Sequence, residues 1–86
     1  MAFPTQPSRF TRADGSPIRV LVIEDEPSLT GLLSMAMRYE GWDVTTANSG
    51  AHAVHEAQAT RPDVIVLDMR LSDFDGLEVM RQIRIN

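Results

Sequence analysis

The chain has 86 residues, 43% of them hydrophobic, with 12 acidic and 8 basic side chains and a formal net charge of −4. This length holds one small domain, and the acidic balance argues against a grip on a phosphate backbone. No apolar run approaches the roughly 18 residues of a membrane span, no apolar stretch makes the N-terminus a secretory signal, and the absence of cysteine excludes a disulfide framework.

Met1 to Pro17 is polar and carries Pro4, Pro7, Gly15 and Pro17 in no period. It reads as a disordered or loosely packed tail, with Arg9 and Arg12 solvated rather than set against an acidic partner. A first strand over about 18–23 is apolar almost throughout, as a strand covered on both faces should be. Pro27 then suits the first turn of a helix, with Asp25 or Glu26 at or before its N-cap. Leu29, Leu32, Leu33, Ala36 and Met37 form a helical stripe, and Gly41 stands where a left-handed C-terminal residue is wanted. A short, more polar strand over about 43–47 suits a sheet edge.

Ser49 is a plausible N-cap for a second helix over about 51–60, with Ala53, Val54 and Ala57 inward. Arg61-Pro62-Asp63 breaks it and leads into a third strand, 64–67. A polar loop follows, ending on the turn dipeptide Asp75-Gly76. A third helix begins about Leu77 and buries Val79, Met80 and Ile83. The order β-α-β-α-β-α predicts an α/β fold with a doubly wound parallel sheet.

Two of these strands stop on acid. Ile23 is followed by Glu24-Asp25, and Leu67 by Asp68. Ligands of doubly wound sheets bind beyond the carboxyl ends of the strands, where strand order reverses. With spatial order 2-1-3, that point lies between the first and third strands and collects Glu24, Asp25 and Asp68. Such like charges repel, so either one carboxyl keeps a proton or a cation sits among them. Hard oxygen donors with no His or Cys nearby favour Mg²⁺. The plainer reading of Glu24-Asp25 alone is a pair of acids complementing a helix dipole, but Asp68 heads no obvious helix.

Other candidates carry less. His52 and His55 lie three apart on the second helix without a third ligand. Met35 and Met37 belong to the first helix, and Trp42 covers a helix end. Ser49-Gly50 lacks the glycines and Lys of a nucleotide cradle.

The segments VLVIEDEPSL, VIVLDMRLSDFDG and LEVMRQIR resemble the receiver domain of bacterial two-component response regulators, particularly the OmpR/PhoB-like transcription factors, over about residues 19–84. The resemblance implies a flavodoxin-like fold in a cytoplasmic protein. It implies that Asp68 accepts a phosphoryl group from a sensor histidine kinase. Mg²⁺ would be held by Asp25 directly, Glu24 through a water, Asp68, and the backbone carbonyl of Arg70. Beyond self-phosphorylation and slow autodephosphorylation it implies no enzyme.

Departures from the family are also expectations to test. Ser72 stands where relatives usually have Pro, and Arg70 is a long cation where many carry Met or Asn. All basic residues are Arg, so nothing replaces the family's Lys after a fifth strand. Residues 18–86 therefore read as a partial receiver, truncated before strands four and five, with the DNA-binding output domain absent. The open edge of the third strand predicts self-association, by edge pairing or swapping. Two rival functions remain: a pseudo-receiver that does not switch, and a Mg²⁺-dependent phosphatase of the haloacid dehalogenase type. The latter needs a second Asp where Arg70 stands.

Overall fold

A computed structural model describes residues 10–71, 73 and 75–85. Six elements alternate along the chain: β1 (Arg19–Ile23), α1 (Pro27–Tyr39), β2 (Asp43–Ala47), α2 (Gly50–Thr60), β3 (Val64–Leu67) and α3 (Gly76–Ile85). The strands form one parallel sheet in the order β2-β1-β3. Ile23 is in register with Ala47 on one side and Leu67 on the other.

Side chains alternate across a strand, and β1 divides its own residues between two cores. Leu21 and Ile23 pack with Ala47, Ala53, Ala57 and Val79, beneath α2 and α3. Val20 and Val22 pack with Val44 and with the half-buried Leu33, Met37 and Trp42, on the α1 face. Burial of four successive residues, Val20 to Ile23, makes β1 the centre of the molecule. Helices on both faces of a parallel sheet are the expected doubly wound architecture.

Local chemistry sets the helix ends. The Glu26 carboxylate accepts from the Ser28 and Leu29 N–H groups and caps α1, with Pro27 in its first turn. Gly41, at φ +86°, supplies the left-handed residue after α1. Ser49 accepts from the His52 N–H at the start of α2, and Arg61 ends that helix at φ +48°. Asp75 accepts from the Glu78 N–H and caps α3.

The apolar stripe of α1 is less buried than its period predicts. Leu33 and Met37 pack on the sheet, but Ala36 is exposed, and Leu29 and Leu32 are 42% and 59% exposed. The reason is coverage: α1 lies over β1 and β2. Over β3 there is instead an open cleft of ≈ 290 Å³, lined by Leu29, Leu33, Val66 and Leu67 among others. β3 is correspondingly half-buried, with Val64 45% exposed. In α3, Val79 is fully buried while Met80 and Ile83 are half-buried.

Arg12 is not solvated as its polar context suggests. Its guanidinium donates to both carboxylate oxygens of Asp63, at 2.9 and 3.0 Å, and Asp63 also accepts from the Arg19 N–H. Residues 10–17 thus turn back on themselves through a Thr11–Pro17 bridge and fasten to the start of β3. Arg9 lies outside the described residues.

On α3, Arg81 and Gln82 donate to the Glu78 carboxylate, and Arg81 foremost holds its pKa down at about 2. A depressed carboxyl contributes stability above its unfolded value, lost as pH falls through the folded one. Glu78→Gln therefore flattens the acid limb of stability between about pH 4.5 and 2, measured by thermal melts across that window. An unchanged acid limb refutes the pairing.

Candidate metal and phosphoryl site

The sheet ladder continues one residue past the strands. The Glu24 N–H donates to the Ala47 carbonyl at 3.0 Å, and the Asp68 N–H to the Ile23 carbonyl at 2.9 Å. Both acidic residues are therefore fixed by the sheet. Alternation from Val22 and Val66 sends the Glu24 and Asp68 side chains to the α1 face, and both line the cleft beside α1. Asp25 follows at the entrance to α1.

Ligand oxygens of Glu24, Asp25 and Asp68 all lie within 4.8 Å of one another, the sole such cluster of three or more His, Cys, Asp or Glu among the described residues. Glu24 is 7% exposed, Asp68 half-buried and Asp25 exposed. The hydrogen bond with Asp68 raises the Glu24 carboxyl above its usual range, followed by burial and by the charges of Asp68 and Asp25. Asp68 is lowered, first by the Arg70 main-chain N–H and then by Glu24. The two carboxyls are thus driven apart, Glu24 toward its protonated form and Asp68 toward its ionised one.

Arg70 is positioned through its backbone: its N–H donates to Asp68 Oδ1 at 2.9 Å. Its exposed side chain lowers Asp68 only as the smallest contribution. The loop beyond closes at its base, where the Gly76 N–H donates to the Met69 carbonyl. A Cβ on Gly76 would lie 2.8 Å from the Met69 Cα. Gly76 is therefore a close-approach glycine at the start of α3, beyond the turn its dipeptide predicts. Ser72 lies outside the described residues.

Sequence reading missed one residue. Asp73 accepts from the Gly50 and Ala51 N–H groups at 2.7 and 3.0 Å, tying the loop after Asp68 to the start of α2. Nothing local marks it, because its partners are more than twenty residues away. The histidines join no metal cluster among the described residues: His52 meets Asn48, ahead of α2, and Glu56, one turn further along it.

The donor set fits a hard divalent cation. All three side chains offer oxygen. Glu24 Oε2 is buried without a hydrogen-bond partner, and a buried acceptor in that state is costly unless something fills it.

A family profile described as the response regulator receiver domain matches residues 20–86. The chain belongs to the receiver family. It is 55% identical over 76 residues to the transcriptional regulatory protein TrcR of Mycobacterium tuberculosis, covering 88% of this chain and 30% of that one. It is 42% identical over 66 residues to the alkaline phosphatase synthesis transcriptional regulatory protein PhoP of Bacillus subtilis, covering 77% and 28%. This receiver therefore spans about three tenths of the curated relatives it matches.

Solved structures agree on the fold. The Vibrio cholerae chemotaxis protein CheY4 superposes with a TM-score of 0.79 at 30% identity, over 81% of this chain and 58% of that one. The receiver domain of a Pseudomonas aeruginosa sensor histidine kinase superposes at 0.76 with 32% identity, covering 83% and 58%. That structure holds a magnesium ion coordinated in its active-site cleft. The receiver accordingly has the CheY-like flavodoxin fold, and no described helix is long and apolar enough to cross a membrane.

Proposed function

We propose that this receiver takes a phosphoryl group from a sensor histidine kinase onto Asp68, with Mg²⁺, to control a DNA-binding output domain. The observation that carries the proposal is the meeting of Glu24, Asp25 and Asp68 at one rim of the sheet. Glu24, Asp25, Asp68 and the Arg70 backbone carbonyl are the residues to hold the metal. When bound, Mg²⁺ would neutralise the acidic pocket and leave positions open to a phosphoryl oxygen.

The protein's own contribution is positioning. Asp68 is ionised, and its backbone is fixed by the Ile23 carbonyl, so a carboxylate oxygen is available as nucleophile. A new Asp68 O–P bond forms as the P–N bond of the phosphohistidine breaks, and that electron pair returns to the imidazole. The Arg70 N–H on Oδ1 orients the carboxylate. Phosphatase turnover is disfavoured, because Arg70 stands where such an enzyme carries its acid/base Asp.

The test is intact mass after incubation with Mg²⁺ and acetyl phosphate. The expected result is a gain of one phosphoryl group, abolished by EDTA. Steady phosphate release would instead make the chain a phosphatase. Mg²⁺ binding without an adduct would make it a non-switching module.

Copies of the chain are also expected to pair. β3 is an outer strand of the described sheet, and its apolar residues are only half-buried, the combination that recruits further strands. Light scattering across a concentration series should show a dimer or larger species. A monodisperse monomer at high concentration would exclude it.

A further inference from the structure

The loop from Asp68 to Gly76 is held at three places. Its start is fixed by the Arg70 N–H on Asp68 Oδ1. Its base closes through the Gly76 N–H on the Met69 carbonyl and an Arg70–Asp75 bridge. Its tip is fixed by Asp73 on the first two N–H groups of α2. The first two holds are local and would survive a tilt of the whole loop. Leu71 between them packs on the core formed by Leu21, Ile23, Ala53, Ala57 and Val79, and Asp73 adds the polar tie that refers the loop to the start of α2.

We infer that Asp73 is a positioning residue for the phosphoryl site, setting through α2 where the Arg70 main chain lies relative to the three carboxylates. Two charge-assisted bonds to a helix N-terminus are among the stronger polar contacts available. Helix α2 is itself seated by the buried Ala53 and Ala57, so it provides a rigid reference. Asp73 stands outside the cluster of Glu24, Asp25 and Asp68 and acts through the backbone it holds. The functional meaning of this inference rests on the phosphoacceptor reading, but its structural content does not.

Ser49 provides the comparison. Its hydroxyl caps the same helix end through the His52 N–H. Asp73→Ala and Ser49→Ala should both lower the melting temperature. Only Asp73→Ala should speed hydrogen exchange at the Arg70 amide in metal-free protein and raise the Mg²⁺ dissociation constant, roughly tenfold. Asp73→Asn keeps one acceptor oxygen but sets its NH2 against the other N–H, so it should show both changes in smaller degree. Where Asp73→Ala does not fold, Asp73→Glu, one methylene too long to meet both amides, replaces it.

Wild-type values of exchange and affinity in the folded variant would overturn the inference. So would equal changes in Ser49→Ala. If wild type binds no Mg²⁺, the phosphoacceptor reading fails, while Arg70 exchange still decides whether Asp73 positions the loop.

Discussion

Asp68→Asn takes up no phosphoryl group under conditions where the wild-type chain takes one, and this loss is complete. An amide oxygen lacks the charge and basicity of the carboxylate nucleophile. The amide still accepts from the Arg70 N–H, and the backbone bond to Ile23 is untouched, so the loss is chemical. The check is intact mass with acetyl phosphate and Mg²⁺, alongside a melt proving that the variant folds. An adduct that persists in Asp68→Asn would place the acceptor elsewhere.

The same substitution has an opposite effect on stability without metal. Glu24 is raised above its ordinary 4.5, so its contribution is full below the unfolded value and lost as pH rises through the folded one. Asp68 is depressed, and its contribution is lost as pH falls. At neutral pH in EDTA, Asp68→Asn removes one of the crowded charges and raises the melting temperature. The gain shrinks in acid, where the carboxylates lose their charge. Melts in EDTA in acid and at neutral pH compare the two conditions. No gain at the higher pH would mean the carboxylates do not repel.

Ile23→Ala should destabilise the chain by roughly 2–5 kcal/mol, the range for truncating a fully buried aliphatic side chain. That is a large part of the total for a domain of this size, at about 0.1 kcal/mol per residue. Ile23 is fully buried, and its carbonyl holds the Asp68 N–H, so core and site fail together. Mg²⁺ at about a hundredfold excess over its dissociation constant should return about 2.7 kcal/mol. Urea melts with and without the cation measure both. A variant as stable as wild type would contradict the packing around β1, and no recovery with Mg²⁺ would contradict the metal site.

Much of this was legible from residue order. Pro27, Gly41, Ser49 and Asp75-Gly76 mark element boundaries by local chemistry, and the strand-end acids declare a shared rim once the order is β2-β1-β3. What escaped depends on distance. Asp73 meets α2, and Arg12 meets Asp63, across separations no periodicity encodes. The α1 stripe showed that Leu29 and Leu32 share a face with Leu33, but not that the sheet beneath them stops short. Gly76 looked like a turn former, and only the nearness of Met69 gives it a packing role.

The Arg12–Asp63 clasp has a practical consequence. It fastens the leading segment at the end of β3 opposite the carboxylates, a strand length of roughly 16 Å away for five residues. An affinity handle joined ahead of Phe10 would emerge at the floor of the sheet, and immobilisation through it would leave the acidic rim facing a kinase in solution.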